Sequence, residues 1–274
     1  MIGRFPLDIM SKTTYPPISK NFLLGIAVDS ANNRFGIVNY RADGAINNIL
    51  FYHTETYQLI QSIDVTGSKG ALEHDAVGNR FFLGHNNDDG KLFSIISGVD
   101  YSITTIDTPS SDSILAPVVR GFAIDSTNDK LFVSAYFTQS IARIYVFKLS
   151  DLTFITSYPV SQCVGIYVDI PNNELFICRH SSGKVDVYNS LTNDFKRSIT
   201  GFSNAYSIVV DPANSDLLIV VDNADNSLRL LKKSTNTILG KYEGIVSPRF
   251  SAFYNGKIMT TQTNGKITVI ERFY

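Results

Sequence analysis

Four arginines, two histidines and a few tyrosines are the residues of this 274-residue chain best suited to grip a charged or flat ligand. Arg41, Arg120, Arg179 and Arg249 carry planar forks that match pairs of carboxylate or phosphate oxygens. Tyr40, Tyr136 and Phe137 offer rings on which a flat or sugar-like ligand can stack. His85 and His180 open the polar stretches His85-Asn-Asn-Asp-Asp89 and Arg179-His-Ser-Ser182. With no third donor beside either, they suit turn stabilisation or ligand contact better than metal binding. Asp222 opens a similar stretch. The ligand-binding set read from these positions is Tyr40, Arg41, His85, Arg120, Tyr136, Arg179, His180, Asp222 and Arg249. Loops are also polar because they are wet, so solubility alone explains half of the set equally well. If Arg179 and Tyr136 do bind ligand, their replacement by Ala abolishes binding and changes stability by no more than about 0.5 kcal/mol.

Covalent chemistry finds little support. The chain has no G-x-S-x-G elbow, no phosphate-cradling glycine loop and no zinc or EF-hand spacing, and neither cysteine sits in a catalytic signature. One pair stands out. Glu73-His74 occupies a place where the equivalent segments carry Ala27-Val28, Ala123-Ile124, Tyr167-Val168 and Val209-Val210. A buried Glu needs a partner: an Arg, a His or water in the ordinary case, a cation in the other.

The elements that position these residues follow from a phrase repeated five times. It reads Asp29-Ser-Ala-Asn32-Asn33-Arg34-Phe35, Asp75-Ala-Val-Gly78-Asn79-Arg80-Phe81, Asp125-Ser-Thr-Asn128-Asp129-Lys130-Leu131, Asp169-Ile-Pro-Asn172-Asn173-Glu174-Leu175 and Asp211-Pro-Ala-Asn214-Ser215-Asp216-Leu217, at steps of 46, 50, 44 and 42 residues. Each phrase lies between apolar runs and predicts a β-hairpin. The Asp side chain accepts from backbone N–H groups, and the Asn or Gly at the fourth position is the residue expected at positive φ. Third and fourth strands follow in most units, and four antiparallel strands at this period make one blade of a propeller.

A sixth unit flanks the hairpin dipeptide Asn255-Gly256 and lacks a fourth strand. The missing strand is expected at the N-terminus, over Ile2–Met10, with Phe5, Leu7 and Ile9 on one face and Pro6 tolerated on an edge. The fold class is therefore all-β, a six-bladed β-propeller closed by its N-terminal strand. It forms a single domain with blades near 21–65, 66–108, 116–160, 161–200, 203–243 and 246–274 plus 2–10.

A net charge of −1 offers no general attraction to nucleic acid or to an anionic membrane surface. No apolar run is long enough to span a bilayer, and the first residues lack a signal-peptide layout. These features predict a cytoplasmic protein, or one reaching a virion or cell surface by a non-classical route. Cys163 and Cys178 are the two cysteines, expected as buried free thiols, with a cross-hairpin disulfide as the alternative.

The unit Ser207-Ile-Val-Val-Asp211-Pro-Ala-Asn-Ser-Asp-Leu-Leu-Ile-Val-Val-Asp222, continued by Asn226-Ser-Leu-Arg-Leu-Leu and Ser234-Thr-Asn-Thr-Ile-Leu, resembles the YVTN and NHL classes of propeller repeat. The resemblance implies the fold; enzymes, adhesins, scaffolds and sensors all use it. It implies ligand binding across the loop-lined mouth of the ring, by a glycan, a small anionic molecule or a protein receptor; the charge, the short apolar runs and the missing motifs predict no cofactor, no nucleic acid and no membrane insertion. A viral or cell-surface attachment module is one form of this reading. The ring is also similar to six-bladed lactonase-like hydrolases, which implies a divalent cation held by Glu73. A protein-interaction scaffold is the third alternative.

Overall fold

The computed structural model describes residues 9–14, 22–40, 47–86, 90–109, 117–137 and 141–272. Their 24 strands form six four-stranded antiparallel blades, the second and third joined into one sheet by a pairing of Val118 with Asn86. β1 (Ile9–Thr14) belongs to the last blade. The first blade is β2 (Phe22–Asp29), β3 (Arg34–Tyr40), β4 (Asn47–His53) and β5 (Leu59–Val65). The second is β6 (Ser68–Asp75), β7 (Arg80–Asn86), β8 (Lys91–Ser97) and β9 (Ile103–Asp107), and the third β10 (Val118–Asp125), β11 (Lys130–Tyr136), β12 (Ala142–Lys148) and β13 (Phe154–Pro159). The fourth is β14 (Cys163–Asp169), β15 (Glu174–Arg179), β16 (Lys184–Asn189) and β17 (Phe195–Thr200), and the fifth β18 (Ala205–Asp211), β19 (Asn214–Asp222), β20 (Ser227–Lys232) and β21 (Thr237–Glu243). In the sixth, β22 (Pro248–Tyr254), β23 (Lys257–Gln262) and β24 (Ile267–Arg272) are completed by β1. The first strands touch in a closed circle, β2 to β6, β10, β14, β18, β22 and back to β2.

The N-terminus closes the ring as predicted, but its strand runs on past the expected end at Met10. The described part pairs with β24 over Ile9–Thr14, from Ile9 opposite Arg272 to Thr14 opposite Thr268, and residues 2–8 of the expected strand lie outside the described residues. Phe5 and Leu7 lie outside the described residues. Register depends on the partner strand, which a period-two alternation does not identify.

The turn phrase also works differently from its reading in sequence. In the first four blades the residue at positive φ is the fifth, Asn33, Asn79, Asp129 and Asn173, not the fourth. The fourth residue instead holds the Asp: Asn32, Asn128 and Asn172 each donate a side-chain N–H to its carboxylate at 2.8 Å. In the fifth blade Asp211 pairs directly with Asn214, giving a tighter turn. The sixth has both Asn255 and Gly256 at positive φ, as a two-residue hairpin turn requires.

In the first three blades the charged residue five places after the Asp ties one blade to the next. Arg34 donates to the buried Asp29 carboxylate at 2.8 Å and to the Gly98 carbonyl of the second blade at 2.7 Å. Arg80 donates to Asp75 and to the Leu149 carbonyl of the third blade, and Lys130 to the Ser190 carbonyl of the fourth. Lys233 of the fifth blade reaches back to Asp169 at 2.7 Å. At the seam between the last blade and the first, the Tyr254 hydroxyl donates to Asn33.

A second regularity draws the inner strands together. Four residues before each turn Asp, and before Asn255, stands a small residue: Gly25, Ala71, Gly121, Gly165, Ser207 and Ser251. A Cβ on Gly25 would lie 2.3 Å from the Leu72 amide nitrogen, and one on Gly165 would lie 2.6 Å from the Ser207 Cα. Backbone approach this close leaves room only for small side chains. The core between blades is rich in aromatic rings, with Phe35, Phe51, Phe81, Phe82, Phe93, Phe132, Phe147 and Phe176 all but inaccessible to solvent. Cys163 and Cys178 are buried free thiols. Among the described residues no helix is long and apolar enough to cross a membrane.

Candidate functional site

Because every inner strand ends at its turn, the starts of these strands gather at the opposite end of the channel. Arg120 is the third residue of β10, Tyr206 the second of β18 and Arg249 the second of β22. Two adjoining cavities, of about 170 and 360 Å³, share Arg120, Tyr136, Tyr206 and Arg249 as walls. His180 and Gln162 complete the smaller, and Tyr40, Phe22 and Asn86 line the larger.

Rings support the guanidinium groups here in place of carboxylates. The Arg249 guanidinium lies 4.8 Å from the centre of the Tyr206 ring, and that of Arg120 lies 5.6 Å from the Tyr136 ring. Arg120 Nη2 stands 3.5 Å from the Tyr136 hydroxyl, a weak contact, and Arg249 Nε is buried with no hydrogen-bond partner. Tyr206 is held from both sides, by His180 at 5.9 Å and by Phe250 at 5.5 Å, each edge-on. No carboxylate among the described residues lines either cavity. Two permanent cations brought together without a counter-ion repel each other and lose hydration, a state that an incoming anion relieves. His180 registers the same field. Burial, then Arg249 and Arg120, hold its pKa below the ordinary histidine value. Its Nδ1 lies 2.7 Å from Ser181 Oγ.

Five residues expected from sequence therefore meet at the mouth: Tyr40, Arg120, Tyr136, His180 and Arg249. Arg41 lies outside the described residues. The other three have structural partners elsewhere. His85 is buried in β7, with Nε2 2.7 Å from Ser94 Oγ. The Asp222 carboxylate is fully buried and accepts from the Ser203 and Asn204 amides and from Arg229 Nε. Arg179 forms an ion pair with Asp186, whose side chain is 2% exposed, and donates to Ser161 Oγ. These partners give Arg179 a structural contact, so its removal is expected to cost stability rather than to be near-neutral. Tyr206, Gln162 and Phe22 were missed in sequence. Tyr206 is set among the apolar residues of an inner strand, and only its alignment with Arg120, both five places before a turn Asp, marks it as a mouth position.

Glu73 lies at the other end of the channel, in a cavity of about 390 Å³ lined by all six inner strands. A divalent cation there needs companion donors. The facing positions are Ala27, Ala123, Tyr167, Val209 and Phe253, and among the described residues no cluster of three His, Cys, Asp or Glu side chains is placed to hold a metal. The donor set does not fit the cation implied by the lactonase-like resemblance.

No family model matches the chain, and no curated protein matches its sequence. In shape it is similar to a chain of the crystal structure of a nidogen/laminin complex, with a TM-score of 0.72, 12% identity and coverage of 91% of both chains. At that identity the likeness is one of fold, and it supports the β-propeller architecture.

Proposed function

We propose that the protein is a non-catalytic recognition module that binds a carboxylate, sulfate or phosphate group at the mouth of the propeller. The observation that carries this reading is the convergence of Arg120 and Arg249 in one cavity without a carboxylate partner among the described residues. The guanidinium groups would fork onto the anion, with Tyr206 and Tyr136 holding them in place. Tyr40 and Phe22, stacked at 6.2 Å on the rim, offer a ring surface to the rest of the ligand. An acidic glycan or an acidic side chain of a protein both satisfy this chemistry. The chain of similar shape comes from a protein–protein complex, which is consistent with a protein partner. Ser181 touches His180, but no carboxylate among the described residues orients the imidazole, so the pair lacks the third member of a nucleophilic triad.

The test is a panel of sialylated, sulfated and neutral glycans together with acidic peptides, presented to the wild type and to the Arg120→Gln/Arg249→Gln double variant. Selective retention of acidic ligands by the wild type, lost in the variant, is the expected result. Equal retention by both proteins, or preference for neutral ligands, would refute the reading.

A further inference from the structure

The channel cavity on the turn side is independent of the mouth and has a chemistry of its own. Its walls are mainly apolar side chains of the six inner strands with the rings of Tyr167 and Phe253, and Glu73, His74, Asp75, Ser126 and Ser251 are the polar residues of the lining. It reaches the turn face beside Val77, which is 83% exposed. Two carboxyl residues line this space, Glu73 and Asp75, and of the two Glu73 has no charged partner. The only hydrogen bond to Glu73 among the described residues comes from the neighbouring His74 amide at 3.2 Å.

No charged group compensates it. His74 of the same strand turns its imidazole toward Asp29, 3.8 Å away, and Asp29 is already held by Arg34 and Asn32. Asp75 is occupied by Arg80 and the turn amides. Lys233, which lies over the Tyr167 ring, is paired with Asp169. The other inner strands present no charge to the cavity. A carboxyl enclosed by apolar walls resists ionisation, and burial pushes Glu73 up to about 7.

We infer that this cavity is a second binding site, for a small organic ammonium ion with an apolar body, whose charged head pairs with the Glu73 carboxylate. The volume suits a compact ligand. Desolvating the ion pair is unfavourable, and burial of the apolar body offsets it. Tyr167 and Phe253 supply ring faces of the kind that receive a cation. Binding requires Glu73 to ionise, so each ammonium bound below the pKa of Glu73 displaces one proton from it.

Benzylammonium is a suitable probe, with benzyl alcohol as its neutral counterpart, titrated calorimetrically between pH 5.5 and 8 while the ¹³C resonance of the Glu73 carboxyl is followed by NMR. The expected affinity rises about tenfold per pH unit up to near 7 and then levels, because the amine stays protonated throughout. Glu73→Gln should weaken benzylammonium binding at pH 8 at least tenfold and leave benzyl alcohol unaffected. A pH-independent affinity, tighter binding of the alcohol, or no binding at millimolar probe would overturn the proposal. If Glu73→Gln does not fold, the carboxyl resonance of the wild type decides: a shift on titration supports the site, and an unmoved resonance refutes it.

Discussion

Replacing Gly165 by Ala tests the packing that holds the channel together. The added Cβ would stand 2.6 Å from the Ser207 Cα and 2.7 Å from the Tyr206 carbonyl oxygen, against 3.4 Å for ordinary contact. Both obstacles are backbone, so the inner strands of the fourth and fifth blades must separate by roughly 0.8 Å. A gap of about 0.5–1 Å already forfeits a quarter to a half of the dispersion attraction across it. Overpacking of this kind destabilises by about 1–3 kcal/mol, and loss of glycine freedom in the unfolded chain offsets about 0.4–1 kcal/mol. The net loss is about 1.3 kcal/mol at the middle of these ranges, which for a chain of this length lowers Tm by roughly 3–5 °C. Because Tyr206 carries the Arg249 guanidinium, the same change should weaken anion binding at the mouth. Gly36→Ala is the control: its Cβ meets the tip of Leu72 and the Phe51 ring at 3.0 Å, side chains that can yield. Melting followed by circular dichroism reads both variants. A Gly165→Ala protein as stable as the wild type would refute the claim that these strands are in backbone contact.

Arg179→Ala leaves the Asp186 carboxylate buried with Ser198 and, at 3.6 Å, Lys184 as its remaining partners; urea unfolding should show a loss of about 2–3 kcal/mol. Deleting residues 1–14 strips β24 of its outer partner and uncovers the edge beside Val269 and Ile270. It should abolish a cooperative melt, whereas an unchanged Tm would show β1 to be dispensable. Anion binding at the mouth should raise the depressed pKa of His180. Affinity for phenyl sulfate, whose own charge is constant, should therefore strengthen as pH falls from 7 to 5, and a flat calorimetric profile would separate His180 from the site.

The fold was largely legible because its information is local and repeated. An Asp-led turn at a near-constant period specifies hairpins, and six of them specify a ring. The small residue four places before each turn is a further regularity of the same lines of sequence, and the charged residue five places after the Asp is part of the phrase without its contact being evident from it. Their meaning lies between blades, since Gly165 packs on Ser207 and Arg34 bonds to Gly98 of the next blade. The site was legible only in part for a related reason. Arg120 and Arg249 were found by type and place, but type alone does not distinguish a free guanidinium from one already paired, as Arg179 is. His85 and Asp222 were likewise satisfied within their own blades. The register of β1 depends on a partner more than 250 residues away, beyond the reach of any local pattern.

A crystal structure of the protein soaked with phenyl phosphate decides whether Arg120 and Arg249 form an anion site. Phosphate density is expected between the two guanidinium groups, within hydrogen-bonding distance of both and beside Tyr206, and is expected to be lost in the Arg249→Gln protein. A carboxylate of the chain itself bridging the two arginines, or phosphate bound only elsewhere, would contradict that expectation.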